Sequence, residues 1–408
     1  MEQNNVVSAE KTNQERILAL IEAGGQDFSE TICRSAETLF RNNNGRGQEI
    51  TRTKGLKERE QALAGHFTWD NGHQTIEIDE TAEANGAFFD TLEQIQQRSP
   101  TVAKKLADWQ QSTHPDGFEK TLAALAKETI VLYIPKNTVI SKEWLLDLIL
   151  SNQETDAALQ IWVYLEPGTH AVFTIDQRSH KKAADNFFSG LLQVYVGDSA
   201  HLILNEIQDF HQKAYAFTKK NVAVMDNADL QWNICELGSV KAKSISHVAL
   251  AGRGANAFVN GLYFPSDDQA IVMLTRQDHK APDTTSNLHF KGAVKDTSNA
   301  NWQGMIYVDP VASKTDGYQK NENLILSTQA HVHSKPGLEI ITDDVKCSHG
   351  TTITQIDPGQ IFYLMSRGIP ELEAERLIIQ GFFDTILDRI TYEPIRTKLQ
   401  EEILRKMD

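Results

Sequence analysis

One short pattern recurs in the middle of the chain and limits the folds open to it. The pattern Val-x-Asp-x-Ala-x-Leu begins at Val196 and begins again at Val224, about 28 residues later, a spacing in the range of solenoid repeats. Each unit joins alternating side chains, typical of a strand, to turn residues such as Gly197–Asp198. Because such a unit buries its apolar face only against the next one, the repeat predicts a stack of coils.

The surrounding segments support strands rather than helices. Short β-branched runs with alternating side chains occur at Ile130–Ile134, Leu159–Leu165, Leu191–Val196 and His201–Leu204. The leucine-rich signature is missing, propeller blades need longer periods, and no recurrent helix separates the strands as in a doubly wound sheet. We therefore predict a mainly β fold, a parallel β-helix over residues 129–356.

Helical patterns flank this core. Residues 1–128 are predicted to form an N-terminal helical region, with helices near 13–23, 30–41, 82–98, 101–111 and 118–127. Cys33, on the second of these, is interpreted as structural. After Pro358–Gly359 the periodicity is again helical, and residues 357–408 form a predicted C-terminal helical module.

Composition excludes several classes of partner. The formal charge of the chain is -15 and no basic cluster is present, which argues against nucleic acid and anionic membranes as partners. Its three cysteines are far apart, as in a protein of a reducing compartment. No secretion signal and no run of about 18 apolar residues is found. We expect a cytoplasmic protein.

A Cys-x-His pair near the end of the core is the strongest candidate for chemistry. On a strand, Cys347 and His349 project to the same side, about 7 Å apart along the chain. They could supply two ligands for zinc or iron at a shared interface. The alternative is a buried thiol beside a hydrogen-bonded histidine.

Two other motifs are weaker. The segment Gly252–Ala257 has the spacing of a dinucleotide fingerprint, but a strand pattern follows it, so we interpret it as a solenoid turn. His331 and His333 repeat the same-face spacing and could in principle join Cys347 and His349 in a four-ligand site. We favour a surface or packing role for both.

The segments around the Cys-x-His pair resemble a known family. Ser327–Ala330, Lys335–Ile340, Asp344–Gly350 and Ile361–Ile369 are similar to the signature of the SufB/SufD family, scaffold subunits of the Suf iron-sulfur cluster assembly machine. The chain resembles the SufD type, because it has Cys347–His349 where SufB-type subunits carry acidic residues. It also has Gln319–Asn323 where they carry a cluster-ligand cysteine.

The resemblance implies both fold and function. It implies a right-handed parallel β-helix with helical ends, paired with a SufB-type subunit through its last strands, and a non-catalytic role. It further implies that iron or a nascent cluster is received transiently at Cys347 and His349, with no tightly bound cofactor. Whether this chain alone forms a homodimer is left open.

The C-terminal helices are the expected docking module for a SufC-type ATPase. Apolar residues form two adjacent i, i+4 rows along the helix that follows Pro370, so we predict either a cap on the solenoid or a docking surface. The resemblance favours docking, and the predicted contact residues are Phe362, Arg367, Ile379, Phe382, Phe383 and Ile386.

The competing function is a β-helix enzyme acting on polysaccharide, a lyase or a hydrolase. Such an enzyme needs paired carboxylates on one strand face. Asp343–Asp344 and Asp267–Asp268 are adjacent in sequence, so on strands their side chains would diverge. We therefore predict a scaffold subunit and not an enzyme.

Overall fold

Stacked coils of parallel strands form the centre of this protein. The computed structural model describes residues 50–54, 63–151, 157–180 and 186–407. The predicted helices at 13–23 and 30–41, with Cys33, lie outside these ranges. The strands are β1 Ile50–Lys54, β2 Leu63–Asp70, β3 His73–Ile78, β4 Phe88–Thr91, β5 Glu128–Ile134, β6 Val139–Leu150, β7 Ala157–Leu165, β8 His170–Ser179, β9 Phe187–Val196, β10 His201–Asp209, β11 Tyr215–Val224, β12 Asp229–Glu236, β13 Lys241–Leu250, β14 Asn256–Tyr263, β15 Ala270–His279, β16 Thr285–Val294, β17 Asn299–Val308, β18 Thr315–Ile325, β19 His331–Ile340 and β20 Val345–Thr354.

Seven helices in the described ranges flank these strands. They are α1 Glu80–Ala84, α2 Leu92–Arg98, α3 Pro100–Ser112, α4 Gly117–Leu125, α5 Pro358–Ser366, α6 Glu371–Leu387 and α7 Glu393–Met407. None of the helices in the described part of the chain is long and apolar enough to cross a membrane.

The strands alternate between two sheets. Sheet A has 11 strands in the order β1-β3-β2-β6-β8-β10-β12-β14-β16-β18-β20, and sheet B has 9 in the order β4-β5-β7-β9-β11-β13-β15-β17-β19. From β5 onward every neighbouring pair is parallel. One coil therefore consists of one strand in each sheet, and the predicted parallel β-helix with helices at both ends is confirmed.

The sequence repeat corresponds to one coil. Val196 on β9 pairs in register with Val224 on β11, and Leu202 on β10 pairs with Leu230 on β12. All four side chains are buried between the sheets. Register is fixed here because a slip of one residue would turn this apolar row outward.

The turns between a strand of sheet B and the next strand of sheet A also stack. One residue in each turn has a positive φ and donates its N–H to the following coil. Ser199 (φ 55°) donates to Asp226 O at 2.8 Å, and Asn227 (φ 52°) donates to Arg253 O at 2.9 Å. Gly254 (φ 69°) donates to Pro282 O at 3.2 Å. The Gly252–Ala257 segment is thus a solenoid turn followed by β14, as predicted.

The region before residue 129 is less helical than expected. It contains α1–α4 but also β1–β4, and three of these strands extend sheet A beyond β6. The reason is the alternation along Leu63–Asp70, whose apolar residues Phe67 and Trp69 are buried, so that β2 pairs with β6 and continues the apolar interior beyond the first coil. The coiled core itself begins at Glu128 and ends at Thr354.

Helices cover the outer face of each sheet. Phe118 and Leu122 of α4 pack on Phe187, Leu191 and Phe217 of sheet B. The helices α6 and α7 pack on the outer face of sheet A. Strands beneath helices, such as β7 and β9, are therefore buried on both faces, whereas the outward side chains of β15 and β17 in sheet B are partly exposed.

Replacing Gly252 tests whether the stacked turn requires a residue without a side chain at this position. A Cβ at position 252 would collide with the backbone of Met225 and Asp226 in the preceding coil, so we expect Gly252→Ala to lower the free energy of unfolding by on the order of 2 kcal/mol or more. Gly381→Ala, where the surroundings are open, should instead stabilise α6 by about 0.5–1 kcal/mol. Urea denaturation measures both, and equal stability of the two variants would contradict the stacked turn.

Candidate functional site

The last coil differs from the preceding coils in what covers it. Strands β19 and β20 are the end strands of sheets B and A. In the described chain, therefore, no further strand pairs with their outer edges and no further coil stacks on this one. Ile340 and Ile353 are 40% and 46% exposed. This open end carries both residues of the Cys-x-His pair.

Cys347 lies on β20 and points toward the interior. It pairs in register with Gly317 and packs with Ile306, Leu338 and Val345. Its side chain is half-buried. Burial raises the pKa of the thiol, while a hydrogen bond from the Gly317 backbone acts in the opposite direction. The thiol is therefore protonated at neutral pH, and binding a metal requires it to lose this proton.

His349 shares the inward face of β20 but is exposed. It pairs in register with Gln319 of β18. Within the described residues its imidazole makes no side-chain hydrogen bond, which leaves both ring nitrogens open to a ligand. The alternative of a buried thiol beside a hydrogen-bonded histidine thus fits Cys347 in part and His349 not at all.

His331 and His333 do not join this pair. They lie on β19 in the other sheet, alternating with Val332, which packs on the core, and Ser334, which hydrogen-bonds to Asn321. Both histidines therefore face outward. No group of three or more His, Cys, Asp or Glu side chains in the described ranges could hold a metal ion, so the proposed four-ligand site does not form.

A buried polar layer lies directly beneath the open end. Asn321 and Asn323 of β18 are almost fully buried. Ser334 of β19 donates to Asn321 Oδ1 at 2.8 Å, and Thr351 of β20 donates to Ser334 Oγ at 2.7 Å. This network ties the two strands of the last coil together across the interior. The signal in the sequence was the alternation of Gln319, Asn321 and Asn323, since the preceding coil places Leu288 and Phe290 at the first two of these positions.

The C-terminal helices are fastened to the outer face of sheet A. Their apolar side chains cover Ile207, Cys235 and Leu262 of β10, β12 and β14. Polar contacts add to the attachment: Lys398 Nζ lies 2.7 Å from Asp176 Oδ1, and Lys291 Nζ donates to Phe382 O at 2.7 Å. The hairpin of α6 and α7 covers the outer face of sheet A and not the open end of the solenoid. The alternative of a cap on that end therefore does not describe its position.

This packing corrects three of the predicted docking residues. Ile379, Phe383 and Ile386 are 2%, 0% and 0% exposed, because the outer face of sheet A is itself apolar and is covered by this side of α6. They cannot contact another protein while the hairpin stays in place. Phe382 is half-buried, with the Lys291 ammonium 4.7 Å from its ring centroid.

The exposed apolar residues of the module lie on α5 and the first half of α6. Phe362 is the most exposed, at 74%, and Arg367 stacks on Tyr363 with its guanidinium carbon 5.3 Å from the ring centroid. We call this set the α5–α6 patch: Phe362, Tyr363, Met365, Leu372 and Leu377. The predicted residues Phe362 and Arg367 are thus accessible, while Tyr363, Met365, Leu372 and Leu377 were not predicted.

Comparison with known proteins places this architecture in a family. The family described as SUF system FeS cluster assembly, SufBD core domain, matches residues 148–382, which run from the end of β6 into α6 and include Cys347 and His349. The chain belongs to the SufBD family. The resemblance seen in the sequence is confirmed.

Several relatives carry names from the same system. An iron-sulfur cluster assembly SufBD family protein of Mycobacterium tuberculosis is 31% identical over 254 residues, covering 60% of this chain and 63% of that protein. The iron-sulfur cluster assembly protein SufD of Escherichia coli is 30% identical, covering 55% and 53%. SufD of Bacillus subtilis is 26% identical, covering 70% and 65%. The matches span less than two thirds of the length of each of these relatives.

The packing of the SufBD chain's C-terminal helices can be tested by two aspartate substitutions. Phe383→Asp places a carboxyl group in an apolar contact with Phe264, so we expect it to lower the free energy of unfolding by more than about 3 kcal/mol. Phe362→Asp, on the exposed face, should change it by less than about 0.5 kcal/mol. Thermal or urea denaturation measures both. Similar stabilities would show that Phe383 is not held against sheet A.

Proposed function

We propose that this chain is a non-enzymatic scaffold subunit of an ATPase-coupled iron-sulfur cluster assembly complex. The observation that carries the proposal is the position of Cys347 and His349 on the uncovered inner face of the last coil, in a chain of the SufBD family. A soft thiolate and an imidazole suit iron or an iron-sulfur cluster. The metal is cargo here, received and passed on, and we expect no tightly bound cofactor.

The partner at the open end is a SufB-type subunit. The free edges of β19 and β20 present unpaired backbone groups, which favour the addition of strands from another chain. Exposed Ile340, Ile341 and Ile353 supply apolar area at the same end. The remaining ligands of the cargo would come from this partner. In its absence a second copy of this chain would occupy the same edges as a homodimer.

The α5–α6 patch receives a SufC-type ATPase. Because α6 and α7 are tied to β8, β14 and β16 by buried apolar contacts and by Lys291 and Lys398, a force on the helices reaches the strands directly. Closure of paired ATPase subunits would then shift the last coils relative to the partner and expose Cys347 and His349. No group in this sequence of events has to act as a nucleophile, an acid or a base.

No feature of the site favours the carbohydrate-active alternative. Asp267 and Asp268 are exposed residues in a turn, where Asp267 has a φ of 52°. Asp343 and Asp344 lie in the bend before β20. Neither pair forms two carboxylates on one strand face, as glycoside hydrolysis would require. A cytoplasmic location, where thiols stay reduced, belongs to the same proposal.

Replacing His349 tests the site. In the complex co-expressed with SufB-type and SufC-type subunits, we expect His349→Ala to leave subunit composition unchanged and to lower iron and acid-labile sulfide content severalfold, because one ligand of the cargo is lost. His333→Ala, on the same coil but facing outward, is the matched control and should load normally. Normal loading of the His349 variant would remove this residue from the mechanism.

Replacing Phe362 tests the docking surface. In a pull-down through a tag on this chain, Phe362→Asp should release the ATPase while the SufB-type subunit still co-purifies, because a charge is placed in the middle of the α5–α6 patch. Phe258→Asp changes another exposed phenylalanine, on β14 (41% exposed), and should retain both partners. Retention of the ATPase by the Phe362 variant would place the docking surface elsewhere.

A further inference from the structure

Two interior rows of stacked apolar side chains are each interrupted by a polar residue at the same coil. The row in sheet B and the row in sheet A face each other on either side of the stacked turns. The first runs Val196, Val224, Leu250, His279, Val308, and the second runs Leu202, Leu230, Ala257, Ser286, Gly317, Cys347. Both rows are aliphatic until β15 and β16, where His279 and Ser286 replace them.

His279 is an unusual residue for this interior. It is 0% exposed, and burial lowers the pKa of its imidazole to about 4, so the ring is neutral. Nδ1 is 2.8 Å from Thr284 Oγ1, and Nε2 is 2.8 Å from Ser286 Oγ. A polar ring in an aliphatic row gives up apolar burial that Val or Leu would supply at the same position.

The residue between His279 and Cys347 has no side chain. A Cβ built on Gly317 would lie 3.2 Å from Cys347 Sγ and 3.5 Å from His279 Nε2. The thiol sulfur and the imidazole nitrogen thus both lie within 3.5 Å of one methyl-sized position. Any larger residue at 317 would press on both. Glycine here therefore lets the sulfur approach the buried histidine.

A third polar group belongs to the same cluster. Gln277 is 1% exposed, and its Oε1 accepts a hydrogen bond from Ser286 Oγ at 3.3 Å. Its Nε2 has no partner among the described residues. An unpaired buried donor is costly, and this one sits in the polar cluster that surrounds the imidazole.

We propose that Cys347 Sγ and His279 Nε2 bind a soft divalent metal ion between them. This rests on the proposed function and deepens it: His279 becomes the internal ligand beside Cys347, and His349 is left to face the partner subunit. On binding, the thiol releases its proton to solvent and the neutral imidazole moves its N–H from Nε2 to Nδ1, where Thr284 Oγ1 accepts it. The Nε2 lone pair and the thiolate then bind the metal, and the contact between Nε2 and Ser286 Oγ is lost. Water or a partner group completes the coordination, since the chain supplies two ligands.

Cadmium titration of the full-length chain alone tests this pair. Cadmium is a soft ion that prefers thiolate and imidazole, and its bond to sulfur is followed by the near-ultraviolet charge-transfer absorbance. We expect Cys347→Ser to abolish the signal and His279→Gln to weaken binding at least about tenfold. Gly317→Ala should also weaken it, because the methyl group separates the ligands. His333→Ala, which removes an outward-facing imidazole on β19, should bind cadmium like the parent chain.

Ser286→Ala should change the cadmium affinity in the opposite direction. Removing the hydroxyl that accepts the Nε2–H releases this proton to move to Nδ1, so cadmium should bind more tightly than to the parent chain, whereas a merely structural His279 predicts no gain. This variant also decides the matter if His279→Gln does not fold. Parent-like binding by folded His279→Gln, or unchanged or weaker binding by Ser286→Ala, would overturn the pair. Neither result bears on cluster loading of the complex, which tests the scaffold function separately through His349.

Discussion

The in-register stacking of one coil on the next is the constraint on which the whole structure depends. A single strand pair of this solenoid has no core of its own, and its inner side chains are buried only because the neighbouring coils continue the same rows. The turns add a second continuous ladder, in which Ser199, Asn227 and Gly254 each donate to the next coil. Such a stack has two ends. Within the described residues β1–β4 extend the sheets at one end, and no strand pairs beyond β19 and β20 at the other.

In the proposed function, the open end is therefore where cargo binding and partner association meet. In any interior coil the positions of Cys347 and His349 would be sealed between the sheets. On the last coil the thiol is half-buried and the imidazole is exposed, so a cargo can reach them from the side on which a partner would stack. The polar layer of Asn321, Asn323, Ser334 and Thr351 keeps this coil ordered without an apolar core that a partner would have to complete.

The C-terminal helices have one side buried against sheet A and one side exposed to solvent. They cover an apolar sheet face with Phe383 and Ile386 and leave Phe362 and Leu372 in solvent. One module thus has an inner side that is structural and an outer side that is free for a partner. The hydrogen bond from Lys291 of β16 to the carbonyl oxygen of Phe382 joins α6 to sheet A.

The sequence determined what depends on neighbours along the chain. The repeat at Val196 and Val224 predicted the coil, the glycine at 254 predicted its turn, and the alternation along β20 placed Cys347 and His349 on one face, because strand period and turn conformation are local properties. Only the tertiary structure decided what lies against each face. An amphipathic pattern shows that Ile379, Phe383 and Ile386 must be covered, but it does not show that sheet A covers them. Likewise, Cys347 and His279 are brought together across Gly317 by coil stacking, which no local pattern contains.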